Sequence, residues 1–134
     1  MKPVVLTELR YRRAWMAIGI AMLLAITIVC LMPSKTLPET GMSDKSEHAL
    51  AFGAVAFWFG SIVMRYDVPW LALLLVGFGA LIEVSQAAMG WGRSGDVLDL
   101  LADSLGIALG IGIAMTPLGR WARWVEVHLL KARA

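Results

Sequence analysis

Cysteine occurs once in the 134 residues, at Cys30 inside an apolar run, which excludes a disulfide framework and any cysteine-built metal site. Cys30 reads as a packing residue. Charge is scarce too: 16% of residues are charged against 59% hydrophobic, with a mean hydropathy of +0.73, which are the proportions of a chain built for lipid. A net charge of +2 and a pI near 9.0 would suit a nucleic-acid partner, but the basic residues split between the two ends instead of sharing a face. Nucleic acid is therefore not expected. There is no HExxH or other defined metal spacing and no complete pairing of nucleophile and base. The first apolar run also lacks the A-x-A site of a signal peptide, so its retention in the mature protein is expected.

What is present is a series of apolar segments separated by turns. Ala14 to Met32 follows the basic residues Lys2, Arg10, Arg12 and Arg13; about 19 residues make about 28 Å of helix, enough to span. Pro33, Pro38 and Gly41 mark 33–43 as an extramembrane loop. Asp44 with Glu47 three residues on resembles a capping box ahead of a second run, Ala49 to Met64. Asp67 and Pro69 start a third helix, Trp70 to Ala88. After Met89-Gly90-Trp91-Gly92, a fourth runs from Asp96 to Met115 and is closed by Pro117 and Gly119. The expected fold is all-α: an integral membrane bundle of four transmembrane helices. It divides into a basic tail (1–13), the four-helix domain (14–116) and an amphipathic tail (117–134). The stretch Leu118 to Leu130 is expected to lie along the membrane surface, with Trp121 and Trp124 in an interfacial belt.

Nine of the twelve Lys and Arg residues fall in the two tails and the turn at Arg65; Lys35, Lys45 and Arg93 lie on the opposite side. Positive residues are retained in the cytoplasm. Both termini are thus expected to be cytoplasmic in a multi-pass protein of the bacterial inner membrane, with the first and third loops facing outward.

That topology gathers the polar residues at one end. Asp44, Lys45 and His48 open the second helix, Glu83 and Gln86 close the third, and Arg93, Asp96, Asp99 and Asp103 begin the fourth. In the stretch from Arg93 to Asp103, the carboxylates at i, i+3 and i+7 share one helical face. Charges at membrane depth seldom face lipid, so this face should look into the protein or a wet cleft. Capping competes as a role for Asp44, Asp96 and Ser94; a satisfied core histidine competes for His48, and an interhelical hydrogen bond for Gln86. Glu83 needs a partner such as Arg93, Lys45 or His48 to stay charged.

From residue 33 to 110 the chain resembles the VanZ-like small bacterial membrane proteins, named for a component of teicoplanin resistance. The resemblance rests on Asp44-Lys45, His48, Phe52, Glu83, Gln86, Arg93, Asp96, Asp99 and Gly106 in that order. The chain departs from the pattern at Asp103, where the family more often has Asn, and in lacking a proline before Arg93. The resemblance implies an envelope-related role, linked to glycopeptide resistance.

For function, the leading expectation is an outward pocket in which Asp44, Lys45, Gln86, Arg93, Asp96 and Asp103 bind a lipid headgroup, a cell-wall precursor or a lipoglycopeptide. The alternative is an enzyme with His48, Glu83 and Asp99 as acid-base candidates on a lipid-linked or phosphate-bearing substrate, Lys45 and Arg93 holding the anionic group. A second alternative is a small oligomeric proton-coupled carrier; Gly106 and Gly110 form a GxxxG that permits either self-association or packing within the chain. Membrane lipids are the expected partners. No cofactor is expected, although His48, Glu83 and Asp99 offer donors that suit several divalent ions.

Overall fold

In the computed structural model, the described residues are Leu6, 8–36, 40–90 and 95–131. They form an all-helical structure. Four long helices, α1 (Arg12–Leu31), α2 (Asp44–Ile62), α3 (Val68–Met89) and α4 (Val97–Ala114), are followed by a short α5 (Trp121–His128). Single 3-10 turns lie at Ser34–Thr36, Arg65–Asp67 and Pro117–Arg120.

Helix limits follow local chemistry. Ser43, not Asp44, caps α2: its side chain accepts the Ser46 N–H, and Asp44 sits in the first turn, where a carboxylate favours the positive helix end. Asp96 does cap α4, accepting the Leu98 N–H at 2.8 Å. Asp67 holds the cap position of α3 but makes no side-chain capping bond, and Pro69 sits in the first turn.

α2 is the central element, packing on α1, α3, α5 and most extensively on α4. Its buried face carries Phe52, Val55, Ala56, Phe59 and Ile62. The close approach to α4 depends on absent side chains. A Cβ on Gly106 would stand 2.1 Å from the Ala49 carbonyl oxygen, and one on Gly110 would stand 2.2 Å from that of Gly53. The GxxxG is thus used within the chain, against α2.

Polarity is distributed inside out. Leu24 and Ile28 of α1, Leu74, Leu81 and Val84 of α3, and Leu105 and Leu109 of α4 are exposed. Meanwhile His48, Glu83, Gln86, Asp99 and Asp103 are buried. A water-soluble bundle of this size would not leave several apolar helix faces uncovered; a hydrocarbon solvent reverses the preference. Among the described residues, three segments are long and apolar enough to cross a membrane, Arg12–Leu31, Arg65–Met89 and Val97–Ala114. α2 has the length, but Asp44, Lys45, Glu47 and His48 occupy its opening turns, which lowers its hydropathy, and the other helices surround it.

The end opposite the polar residues is an aromatic clasp. Trp15, Trp58 and Trp121 meet with ring centroids 4.8 to 5.7 Å apart. α5 docks there through Ala122 and Glu126, both buried, while Trp124 and Val127 stay exposed. Glu126 closes the clasp by accepting from the Arg10 N–H (2.8 Å), the Tyr11 N–H (2.9 Å) and the Trp15 indole (2.7 Å). It therefore binds the N–H groups of the two residues just before α1 from the far end of the sequence, where the positive end of the helix favours a carboxylate.

Candidate functional site

α2 and α4 run side by side, so the first turns of α2 and α4 and the last turns of α3 meet at one end of the bundle. Helical spacing puts Asp99, Asp103, Ile107, Gly110 and Ala114 on the buried face of α4, so both carboxyl groups enter the protein. Asp99 is 4% exposed and Asp103 0%.

At the rim, the Lys45 ammonium donates to Asp96 Oδ2 at 3.0 Å and to Asp99 Oδ1 at 3.2 Å. Lys45 and Asp96 are partly exposed. The Leu98 N–H and then the Lys45 ammonium hold the Asp96 carboxyl below its ordinary pKa. The Asp96 N–H donates to Glu83 Oε2 at 2.7 Å, which ties α3 to the start of α4.

Deeper in, His48 Nδ1 and Asp103 Oδ1 are 2.9 Å apart, and the Phe52 ring lies parallel to the imidazole with centroids 6.4 Å apart. Gly79 gives Asp103 its space: a Cβ there would lie 2.8 Å from Asp103 Oδ2. Gln86 Nε2 donates to the Cys30 carbonyl at 2.9 Å, linking α3 to the end of α1. Glu83 Oε1 and Asp103 Oδ2 are buried and without a hydrogen-bond partner among the described residues.

The site candidates therefore fall into groups. Donor atoms of His48, Glu83 and Asp103 lie within 4.8 Å of one another, as do those of Asp44, His48 and Asp99. The set His48, Glu83 and Asp99 is not among these groups. The carboxylate bonded to His48 is Asp103, a turn deeper than Asp99, whose bond runs to Lys45. Arg93 and Ser94 lie outside the described residues.

Beside the cluster, α1 and α2 leave a cavity of about 250 Å³. Ala25, Ile26, Val29, Cys30, Ala51 and Phe52 form its apolar wall, and Asp44, Glu47 and His48 its polar end. The α1 side of this wall has no signal in the sequence, because its residues look like any others in an apolar span. Glu126 was missed as well. A lone acid on an apolar face of a basic tail is the available clue.

The VanZ/LLP1 family profile matches residues 18–120, which takes in all four long helices from the second turn of α1 onward. The chain belongs to the VanZ/LLP1 family. No curated protein and no solved structure matches it. A VanZ/LLP1 chain with apolar outer helix faces is a multi-pass membrane protein.

Proposed function

We propose that this VanZ/LLP1 protein is a ligand-binding protein of the bacterial inner membrane whose polar end faces outward and holds an envelope molecule with a lipid tail. The observation that supports this best is the cavity between α1 and α2, apolar along its length and polar at His48, Asp44 and Glu47. Such a groove suits an acyl chain on one side and a headgroup on the other.

The polar end favours one kind of headgroup. Asp44, Glu47, Glu83, Asp96, Asp99 and Asp103 supply carboxyl groups, and the Lys45 charge is already shared between Asp96 and Asp99. A bare phosphate would meet repulsion here, whereas hydroxyl and amino groups would find acceptors. The ligand class is thus a lipid-tailed molecule with a donor-rich head: an amino lipid, a glycolipid, a lipid-linked wall precursor or a lipoglycopeptide such as teicoplanin.

The test is thermal stabilisation of the purified protein by phosphatidylethanolamine, a diglucosyl lipid, teicoplanin and phosphatidic acid. One or more of the donor-rich heads should stabilise, and phosphatidic acid, whose head is a bare phosphate, should not. Ala51→Trp, which fills the groove, should abolish the shift. Equal stabilisation by all four, unchanged in Ala51→Trp, would show bulk solvation only.

The His48 and Asp103 pair supports a second reading as an acid-base enzyme, because a buried carboxylate bonded to an imidazole fixes its tautomer and orientation. Under that reading Glu83→Gln keeps ligand binding while product formation from the bound molecule stops. Under the first reading no product forms even with the wild type.

A further inference from the structure

We infer that His48, Glu83 and Asp103 form a site for one divalent transition-metal ion at the base of the polar pocket. The three side chains come from α2, α3 and α4, and each offers a donor atom within 4.8 Å of the others. Metal–ligand bonds of about 2.0–2.2 Å place neighbouring donors about 3–4 Å apart, so small rotamer shifts suffice.

Two further observations point to a cation. Glu83 is 8% exposed and Asp103 0%, yet each keeps a buried carboxyl oxygen without a hydrogen-bond partner among the described residues. Such atoms are rare in native proteins because burying them unsatisfied is costly. A neutral imidazole and two carboxylates together carry two negative charges, which a dication would balance in a low-dielectric interior.

The neighbouring trio Asp44, His48 and Asp99 is less suited. Asp99 is ion-paired with Lys45, and Asp44 is exposed. One nitrogen and two oxygen donors, with no thiolate, fit manganese, iron or zinc. Fewer than four protein donors would leave coordination positions for water or for a hydroxyl of a bound ligand. His48 also lines the cavity between α1 and α2, which supplies a route. The site stands on its donor geometry and the two unpartnered carboxyl oxygens and does not depend on what occupies the groove.

Manganese binding to detergent-purified protein stripped with a chelator tests this. Free Mn²⁺ is followed by its paramagnetic resonance signal, with Zn²⁺ as competitor. One equivalent should bind, and Zn²⁺ should displace it. Asp103→Asn and Glu83→Gln should each weaken binding at least about 100-fold, beyond the 10–100-fold typical of outer-shell changes, while Glu8→Gln, whose side chain pairs with Arg123 at the opposite end of the bundle, should leave it unchanged. If those variants misfold, the wild-type site still reports its ligand. The chain has two histidines, so His128→Asn protein with ¹⁵N-labelled histidine should show electron-spin-echo coupling of Mn²⁺ to the imidazole of His48. Absence of stoichiometric binding, or binding without histidine coupling, would overturn the site and leave Arg93 or a proton as the counterion.

Discussion

Replacing Glu126 tests how the aromatic end is held. Its Oε1 accepts from the Tyr11 N–H and the Trp15 indole, and its Oε2 from the Arg10 N–H. In Glu126→Gln the amide oxygen can keep the first two bonds, but the new NH₂ faces the Arg10 N–H. One stranded donor costs about 1–3 kcal/mol. Glu126→Ala strands three, of which the indole is buried and the two backbone groups partly so, for a loss of about 3–5 kcal/mol. Glu8→Gln is the control, because the Glu8–Arg123 pair is more than half exposed on both sides and is worth about 0–1 kcal/mol. Equilibrium unfolding in mixed micelles, read by tryptophan emission, resolves these differences because Trp15 changes environment directly. The same carboxylate gives a pH signature. Burial opposes its ionisation, but the Tyr11 and Arg10 N–H groups and the indole outweigh that and hold its pKa below the ordinary 4.5. The unfolded chain therefore binds the proton more readily. The stabilisation is complete above the unfolded pKa and is lost as pH falls from there through the folded one; Glu126→Gln should flatten this acid limb. A Glu126→Ala protein within about 0.5 kcal/mol of wild type would refute the reasoning, since even one stranded donor exceeds that cost.

Three further outcomes follow from the packing and the charge distribution. With Cys30→Ser as background, Thr36→Cys should react with an impermeant maleimide on intact cells and Lys131→Cys should not; the reverse pattern would turn the polar end to the cytoplasm. Gly106→Leu should cost 3 kcal/mol or more, at or beyond the top of the usual overpacking range of about 1–3, because its Cβ alone meets the Ala49 carbonyl. Gly112→Ala meets nothing within 4 Å and should be neutral or stabilising by about 0.5–1 kcal/mol, which thermal melts of the two variants would check. Lys45→Met should lower stability by less than the loss of a fully buried pair, because the ammonium is exposed, and Lys45→Met with Asp99→Asn should lose less than the sum in a double-mutant cycle.

Much of the bundle was legible because apolar length is a strong signal. The α1, α3 and α4 limits lie within about two residues of the runs read from sequence, and Asp99 and Asp103 share the buried face of α4, whereas Asp96, in extended backbone at the cap, stays at the partly exposed rim. Capping was less legible: Ser43 and Asp44 are both good caps, and only backbone geometry decides between them. Pairing between helices was least so. Asp99 and Asp103 differ by one turn, so whether His48 meets one or the other depends on the axial offset of α2 against α4. That offset is fixed by Gly106 and Gly110 fitting under the Ala49 and Gly53 carbonyls. Glu126 was hidden for a related reason, since two of its three partners are backbone N–H groups more than a hundred residues away, which have no residue-type signature. The groove was equally silent, being a gap between two ordinary apolar faces.

Native mass spectrometry of the protein released from its own membrane identifies what occupies the groove between α1 and α2. One retained lipid-tailed molecule with a hydroxyl- or amine-rich head is expected, present in wild type and absent from Ala51→Trp of equal helicity. Retention of no such molecule, or its equal retention by Ala51→Trp, would contradict the proposed binding.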